Sequence, residues 1–198
     1  MFVTFEGLDG SGKSTQAQLL AEALKADRRD VVATREPGGT ELGEKIRELV
    51  LGHGQVAPWA EAALFAAARA QLVEEVIAPA LAGGANVVCD RYLDSSLAYQ
   101  GIARGLGLDR VLELNLHAIR GVLPDRTYLL LIDPAESAKR LGDEGDRIES
   151  EDGEFRARVD EAYRQLAEAF PQRITTIDGT RPPGEIAREI LDELRERS

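Results

Sequence analysis

The 198-residue chain is poor in reactive and aromatic side chains: one cysteine, one tryptophan, two histidines, and 5% aromatic residues in all. A lone Cys89 cannot close an internal disulfide, so the fold must rest on its core and nothing points to an oxidising compartment. His53 and His117 have no paired ligand or nucleophile nearby in sequence, which leaves no basis for a histidine metal centre or triad. No apolar run approaches the ~20 residues of a membrane span. The start, Met1-Phe2-Val3-Thr4-Phe5-Glu6, lacks the basic head and apolar core of a secretory signal, so a cytoplasmic protein with no membrane partner is expected. Positive charge is also short, with 24 Lys and Arg against 35 Asp and Glu and a net charge of −11. Such a surface repels polyanions, so no nucleic acid polymer is expected as a partner. Any phosphorylated ligand must instead be gripped by arginines gathered in one cleft.

Enough apolar residues remain, 43%, to build one sizeable core. Short Val/Ile/Leu-rich runs at 2–6, 30–35, 86–90, 127–133 and 173–178 predict five strands. Several are continuously apolar, as in a parallel sheet covered on both faces. Helical patterns fall between them at 13–26, 41–51, 58–80, 109–121, 134–141, 154–169 and 183–197. The alternation predicts a single doubly wound α/β domain over 1–198, with ligands at the carboxyl ends of the strands. Residues 142–153 break the pattern: polar, with Gly142, Gly145 and Gly153, and flanked by Lys139, Arg140 and Arg147. The segment reads as a solvated loop or a lid, and the basic residues favour a lid that closes over phosphate.

Gly7-Leu8-Asp9-Gly10-Ser11-Gly12-Lys13-Ser14-Thr15 follows the first strand and opens the first helix, matching G-x-x-x-x-G-K-[ST] in the required context. Glycines let the backbone N–H groups close on phosphate oxygens, and the helix amino terminus adds partial positive charge. Lys13 is expected at the β- and γ-phosphates of ATP, with the Ser14 hydroxyl on Mg²⁺. Asp90, at the end of a buried strand, is the expected acidic partner of the metal, directly or through water. The Asn-Lys-x-Asp guanine clamp of GTPases is missing. A small-molecule kinase fits better.

Further blocks carry a resemblance. Thr34-Arg35-Glu36-Pro37-Gly38-Gly39-Thr40, Leu64-Phe65-Ala66-Ala67-Ala68-Arg69, Asp90-Arg91-Tyr92-Leu93-Asp94-Ser95-Ser96-Leu97-Ala98-Tyr99-Gln100-Gly101 and Asp146-Arg147-Ile148-Glu149 occur in the order seen in thymidylate kinases, which this chain resembles along nearly its whole length. The resemblance implies a P-loop NTPase fold of the nucleoside monophosphate kinase kind, with a five-stranded parallel sheet, a lid at about 140–153 and a homodimer. It also implies that dTMP accepts the γ-phosphoryl of ATP.

Arg35 and Arg91 lie just past strand ends, where two guanidinium forks can grip a monophosphate. Phe65 and Arg69 share a helix face. Taken alone Phe65 reads as core, whereas the resemblance makes it the thymine stack and Arg69 the contact to O4. By the same resemblance Asp9 meets the acceptor 3′-hydroxyl, Glu36, Pro37, Ser95 and Ser96 line the acceptor pocket, and Tyr99 and Gln100 touch sugar and base. With no arginine at Leu8, Asp9, Gly10 or Ser11, the sequence is similar to the class that carries its catalytic arginine in the lid; Arg147 is the favoured residue and Arg140 the alternative. Two rival readings remain, a deoxynucleoside kinase and a nucleotide-binding module without turnover. The first needs a general base for a sugar hydroxyl, and the second needs no acceptor pocket.

Overall fold

The computed structural model describes residues 1–52, 54–141, 146–148 and 151–196. His53, the lid residues Gly142 and Gly145, and Arg197 at the expected end of the last helix lie outside the described residues.

Five parallel strands form one sheet in the order β2-β3-β1-β4-β5. They are β1 (Phe2–Gly7), β2 (Val31–Arg35), β3 (Asn86–Asp90), β4 (Arg126–Leu131) and β5 (Ile174–Asp178). Side chains alternate across the sheet, as strand geometry requires. Val3, Phe5, Val88, Tyr128, Leu130 and Ile177 pack on one face beneath α1 (Lys13–Ala26) and α9 (Pro183–Glu196). Phe2, Val87, Cys89 and Leu129 pack on the other. Above them sit α3 (Pro58–Leu72), α6 (Leu108–Ile119) and α8 (Gly153–Ala169). Each fully buried Leu, Ile or Phe contributes about 1.5–3 kcal/mol, so these two faces hold the fold together. Cys89 is buried among them, as expected of a small core residue, and burial pushes its thiol pKa up.

From central β1 the chain goes one way to β2 and β3, then crosses to β4 and β5 on the other side. Phe5 pairs with Asp90 and Arg35 pairs with Asp90, so the carboxyl ends of β1, β2 and β3 open onto one edge. Such a switch point is where α/β sheets bind ligands.

The expected helix at 58–80 is interrupted. It runs as α3, a π turn at Val73–Ile77, and α4 (Ala78–Ala82). Pro79 sits in the first turn of α4; lacking an N–H and clashing with the preceding turn, it cannot extend a regular ladder, and a π turn absorbs the misfit. A second π turn, Leu97–Ala103, follows α5 (Leu93–Ser96) where no helix was expected; it carries Tyr99 and Gln100. The remaining helices are α2 (Glu41–Leu51) and α7 (Pro134–Leu141). No described helix is long and apolar enough to cross a membrane.

Candidate active site

β1 ends at Gly7, where φ is +137° and a Cβ would lie 2.4 Å from the Leu130 carbonyl oxygen. Only glycine lets the loop leave the sheet this close to β4. The loop closes at Gly12, the cap of α1. This helix start has no side-chain cap and no acid in its first turn, so its backbone N–H groups are left for an anion. Lys13 is buried and folds back, its Nζ donating to Asp9 Oδ1 at 2.8 Å and to the Leu8 carbonyl at 3.5 Å.

Asp9 is the hinge between two cations. The same Oδ1 accepts from Arg91 Nη2 at 2.6 Å. Burial alone would raise the Asp9 pKa, but Arg91 and Lys13 outweigh it and hold the carboxyl well below the usual range. Arg91 takes a left-handed backbone, φ 69°, immediately after β3. That conformation costs a non-glycine residue roughly 1–3 kcal/mol and turns the guanidinium back across the sheet edge. Its Nη1 donates to Ser95 Oγ at 3.0 Å and to Tyr163 Oη at 3.1 Å. Behind them Glu6, fully buried at the end of β1, accepts from the Tyr92 and Ser95 backbone, from Ser95 Oγ and from Tyr163 Oη. Burial, with Asp94 nearby, raises the Glu6 pKa. Glu6 and Tyr163 thus brace Arg91; neither stands in a recognisable motif, and only the fold brings them together.

Ser14 Oγ donates to Asp90 Oδ2 across the end of β3. Asp90 Oδ1 is buried without a partner among the described residues. A hydroxyl beside a half-satisfied carboxylate suits Mg²⁺, which takes oxygen ligands, one or two carboxylates and the phosphates of its substrate. The residues present fit the ion.

Beside Asp9 lies an open recess. Phe65 of α3 and Pro37 form apolar wall, Ser95, Ser96, Tyr99 and Gln100 form polar wall, and Asp146 and Ile148 stand at the lid-side rim. Most of the expected acceptor residues therefore converge. The Tyr99 hydroxyl reaches Asp9 Oδ2 at 3.4 Å, and its ring lies 5.4 Å from the Arg91 guanidinium carbon.

Two of the expected contact residues are engaged by the protein itself. Arg35 does not face this recess: its Nη2 bridges both Glu44 oxygens at 2.9 and 3.0 Å, and half of its side chain is exposed. Glu44, on the first turn of α2, holds it against the outer side of β2. Arg47 lines the recess together with Arg91, its Nη1 donating to the Pro37 carbonyl at 3.0 Å. No motif marks Arg47 in the sequence; only the fold brings it to the recess.

Arg69 stands behind the wall. All five of its N–H donors are used: Nε and Nη2 on Glu36 Oε2 at 2.8 and 2.6 Å, Nη1 on Ser96 and Asn115, and Nη2 also on the Tyr92 carbonyl at 2.9 Å. In this geometry it has no donor left for a base carbonyl, and it orders Glu36 and Ser96, which do line the recess. Glu36 Oε1 is buried without a partner among the described residues. Burial pushes the Glu36 pKa up to about 7, with Arg69 opposing.

Of the two arginines considered for the lid, the structure places the alternative, not the favoured one, beside the phosphate loop. Arg147 is turned from the phosphate loop; its Nε donates to the Val50 carbonyl at 2.9 Å and its Nη2 to Glu61. Arg140 lies against the loop instead, Nη1 donating to the Gly10 carbonyl at 3.2 Å and the Gly179 carbonyl at 3.5 Å. A second recess there is lined by Gly12, Thr15, Arg140, Thr180, Arg181 and Pro182. Ser137 Oγ, donating to the Asp9 carbonyl at 2.7 Å, pins α7 to the phosphate loop. Gly10 permits the approach: a Cβ would stand 3.2 Å from Arg140 Cβ. The Asp178-Gly179-Thr180 turn is closed by Thr180 N and Oγ1 on Asp178 Oδ1.

Residues 5–190 match the family model described as Thymidylate kinase. Among curated proteins the chain is similar to the thymidylate kinase of Leifsonia xyli subsp. xyli, 54% identical over 98% of this chain and 94% of that protein. It is also similar to that of an Exiguobacterium species, 48% identical over 100% and 95%. Among solved structures it is similar to the thymidylate kinase of Ehrlichia chaffeensis, with a TM-score of 0.82, 34% identity and 98% of both chains covered.

Proposed function

This chain belongs to the thymidylate kinase family, and from that premise we propose how its residues move a phosphoryl group from ATP to dTMP. The enzyme is an ATP-dependent nucleoside monophosphate kinase that uses ATP and Mg²⁺. One observation carries the assignment of parts: Lys13 of the phosphate loop and Arg91 of the acceptor recess meet on a single oxygen of Asp9, so donor and acceptor sides touch at one point.

ATP lies with its phosphates on Gly7–Gly12 and the start of α1, its nucleoside in the recess beside Arg140, Thr180, Arg181 and Pro182. dTMP lies in the recess beside Phe65, which stacks on the base, with Gln100 at the base edge and Arg47 and Arg91 on its phosphate. Asp9 and Tyr99 face the sugar. Arg69, Glu36 and Ser96 support the base end, and Arg35 fastens α2 to β2. Ser14 and Asp90 would hold Mg²⁺, which supplies charge neutralisation at the phosphate oxygens.

An oxygen of the dTMP phosphate attacks the γ-phosphorus in line; that P–O bond forms as the β–γ bridge breaks, and ADP leaves. The second pKa of a phosphomonoester is about 6, so the attacking oxygen needs no general base near neutral pH. Lys13 and Arg91 hold the reacting groups and oppose the charge that spreads over the transferring oxygens.

The 1–198 chain is read as one kinase domain with a lid at about 140–153, working in the cytoplasm where its ATP is held. A homodimer is also proposed: Leu49, Trp59 and Leu116 are exposed on α2, α3 and α6, and α3 packs against both α2 and α6.

The test is a coupled assay with ATP against a panel of nucleosides and monophosphates, with Lys13→Ala as control. Turnover with dTMP, lost by at least tenfold in Lys13→Ala, is expected; preferential turnover of thymidine over dTMP would sink the reading.

A further inference from the structure

Glu61 is an almost fully enclosed carboxylate, 1% exposed in the first turn of α3. Three side chains converge on it, two from the second π turn and its C-cap and one from the lid side. Gln100 Nε2, from the second π turn, donates to Oε1 at 2.8 Å. Arg104 donates through Nε and Nη2 to the two oxygens, each at 3.4 Å. Arg147, from the lid side, donates to Oε2. Among these, Gln100 alone also lines the acceptor recess.

The polarity of this contact has a consequence for the base. A primary amide can present either its N–H₂ or its oxygen, and the two look alike in shape. A carboxylate flanked by two guanidinium groups offers acceptors only, so it holds the Gln100 amide nitrogen and leaves Oε1 for the recess. No described donor takes that oxygen. An acceptor there suits the N3–H of thymine; cytosine, whose N3 is a lone pair, would meet it oxygen to nitrogen, without a proton between.

We propose that Glu61 is a specificity-determining positioning residue: by fixing the Gln100 amide in one orientation it makes the site accept an N3–H pyrimidine and refuse cytosine. The proposal rests on the reading of Gln100 as a base contact. It also explains why a charged residue is buried at this point of an alanine-rich helix, with Arg104 and Arg147 compensating it.

Glu61→Gln is the informative change. Arg147 keeps an oxygen at the former Oε2 position, which puts the new amide nitrogen opposite Gln100. Gln100 must then turn its own oxygen inward and its N–H₂ toward the base. The measurement is the ratio of kcat/KM for dTMP to that for dCMP, in the full-length enzyme. We expect this ratio to fall about tenfold or more in E61Q, since a polar site discriminates through the pairing of its buried groups. In Glu61→Asp, which keeps the carboxylate, it should stay within about threefold of wild type. Gln100→Leu should lower it as well. If Q100L lowers the ratio and E61Q does not, Glu61 does not orient the amide. If E61Q and E61D fall alike, Glu61 is merely structural and the proposal is overturned. If Q100L leaves the ratio unchanged, the reading of Gln100 itself is wrong and the proposal falls with it. Should E61Q not fold, the wild-type complex with ¹⁵N3-labelled dTMP decides by NMR: a coupling across the hydrogen bond from N3 to the Gln100 side-chain carbonyl carbon is expected, and a saturated complex without it overturns the proposal.

Discussion

Replacing Arg69 by alanine should damage the fold before it damages base recognition. The guanidinium is fully buried and gives every donor to protein acceptors, including two on Glu36 Oε2 at 2.6 and 2.8 Å. Removing one partner of a buried ion pair leaves the other uncompensated, at a cost of about 3–5 kcal/mol. For a domain of this length each kcal/mol lowers the melting midpoint by about 2–4 °C, so Arg69→Ala should melt roughly 6–20 °C below wild type. The loss should be smaller at pH 5.5 than at pH 8, because a Glu36 without its arginine escapes by taking a proton. Adding Glu36→Gln removes the orphaned charge and should recover part of the midpoint at pH 8. Circular dichroism melts at both pH values check all three statements. A single variant within about 2 °C of wild type, or a double variant no more stable than the single, would refute the reasoning.

Two further outcomes follow from the same geometry. Arg140→Ala should raise the KM for ATP by about tenfold, and Arg147→Ala should leave it near wild type while lowering the melting midpoint; steady-state kinetics with ATP varied at saturating dTMP checks this, and the reverse ranking would return Arg147 to the phosphates. Glu36 has a folded pKa, about 7, above its unfolded value, so the native state binds more protons between about 4.5 and 7 and this group's contribution to stability falls as pH rises through that window. Glu36→Gln should remove that downward component when unfolding free energy is compared between pH 5 and 7.5, and an unchanged slope would contradict it.

What the sequence disclosed and what it hid divide by range. The phosphate loop was legible because its chemistry is local: Gly7, Gly12, Lys13 and Ser14 must follow one another between a strand and a helix. The strands were legible because both faces of a parallel sheet are apolar, and β3 begins and ends where its pattern does. Arg35 and Arg47 were not separable, because which one faces the recess depends on Glu44 claiming the first. Phe65 and Arg69 share a helix face, yet one lines the recess and the other lies behind it, since Glu36, Tyr92, Ser96 and Asn115 reach Arg69 from four other places. The bracing of Arg91 by Glu6 and Tyr163 joins residues 157 apart, and no spacing rule reaches that far.

Asp9 gives Lys13 and Arg91 an internal stand-in for the phosphate groups they are proposed to receive. Its carboxylate already satisfies Lys13 and Arg91, so a phosphate group arrives as a replacement and not as an addition. Stray anions must outcompete a tethered rival that never diffuses away, and a lone inorganic ion, with no base to stack and no sugar to place, is poorly equipped to do so. On the proposed function each nucleotide brings those extra holds, ATP contesting Lys13 and dTMP contesting Arg91, and the carboxylate they displace would be released beside the dTMP sugar. The exchange makes occupancy depend on the whole ligand, although the contacts it contests are only those of one charged end.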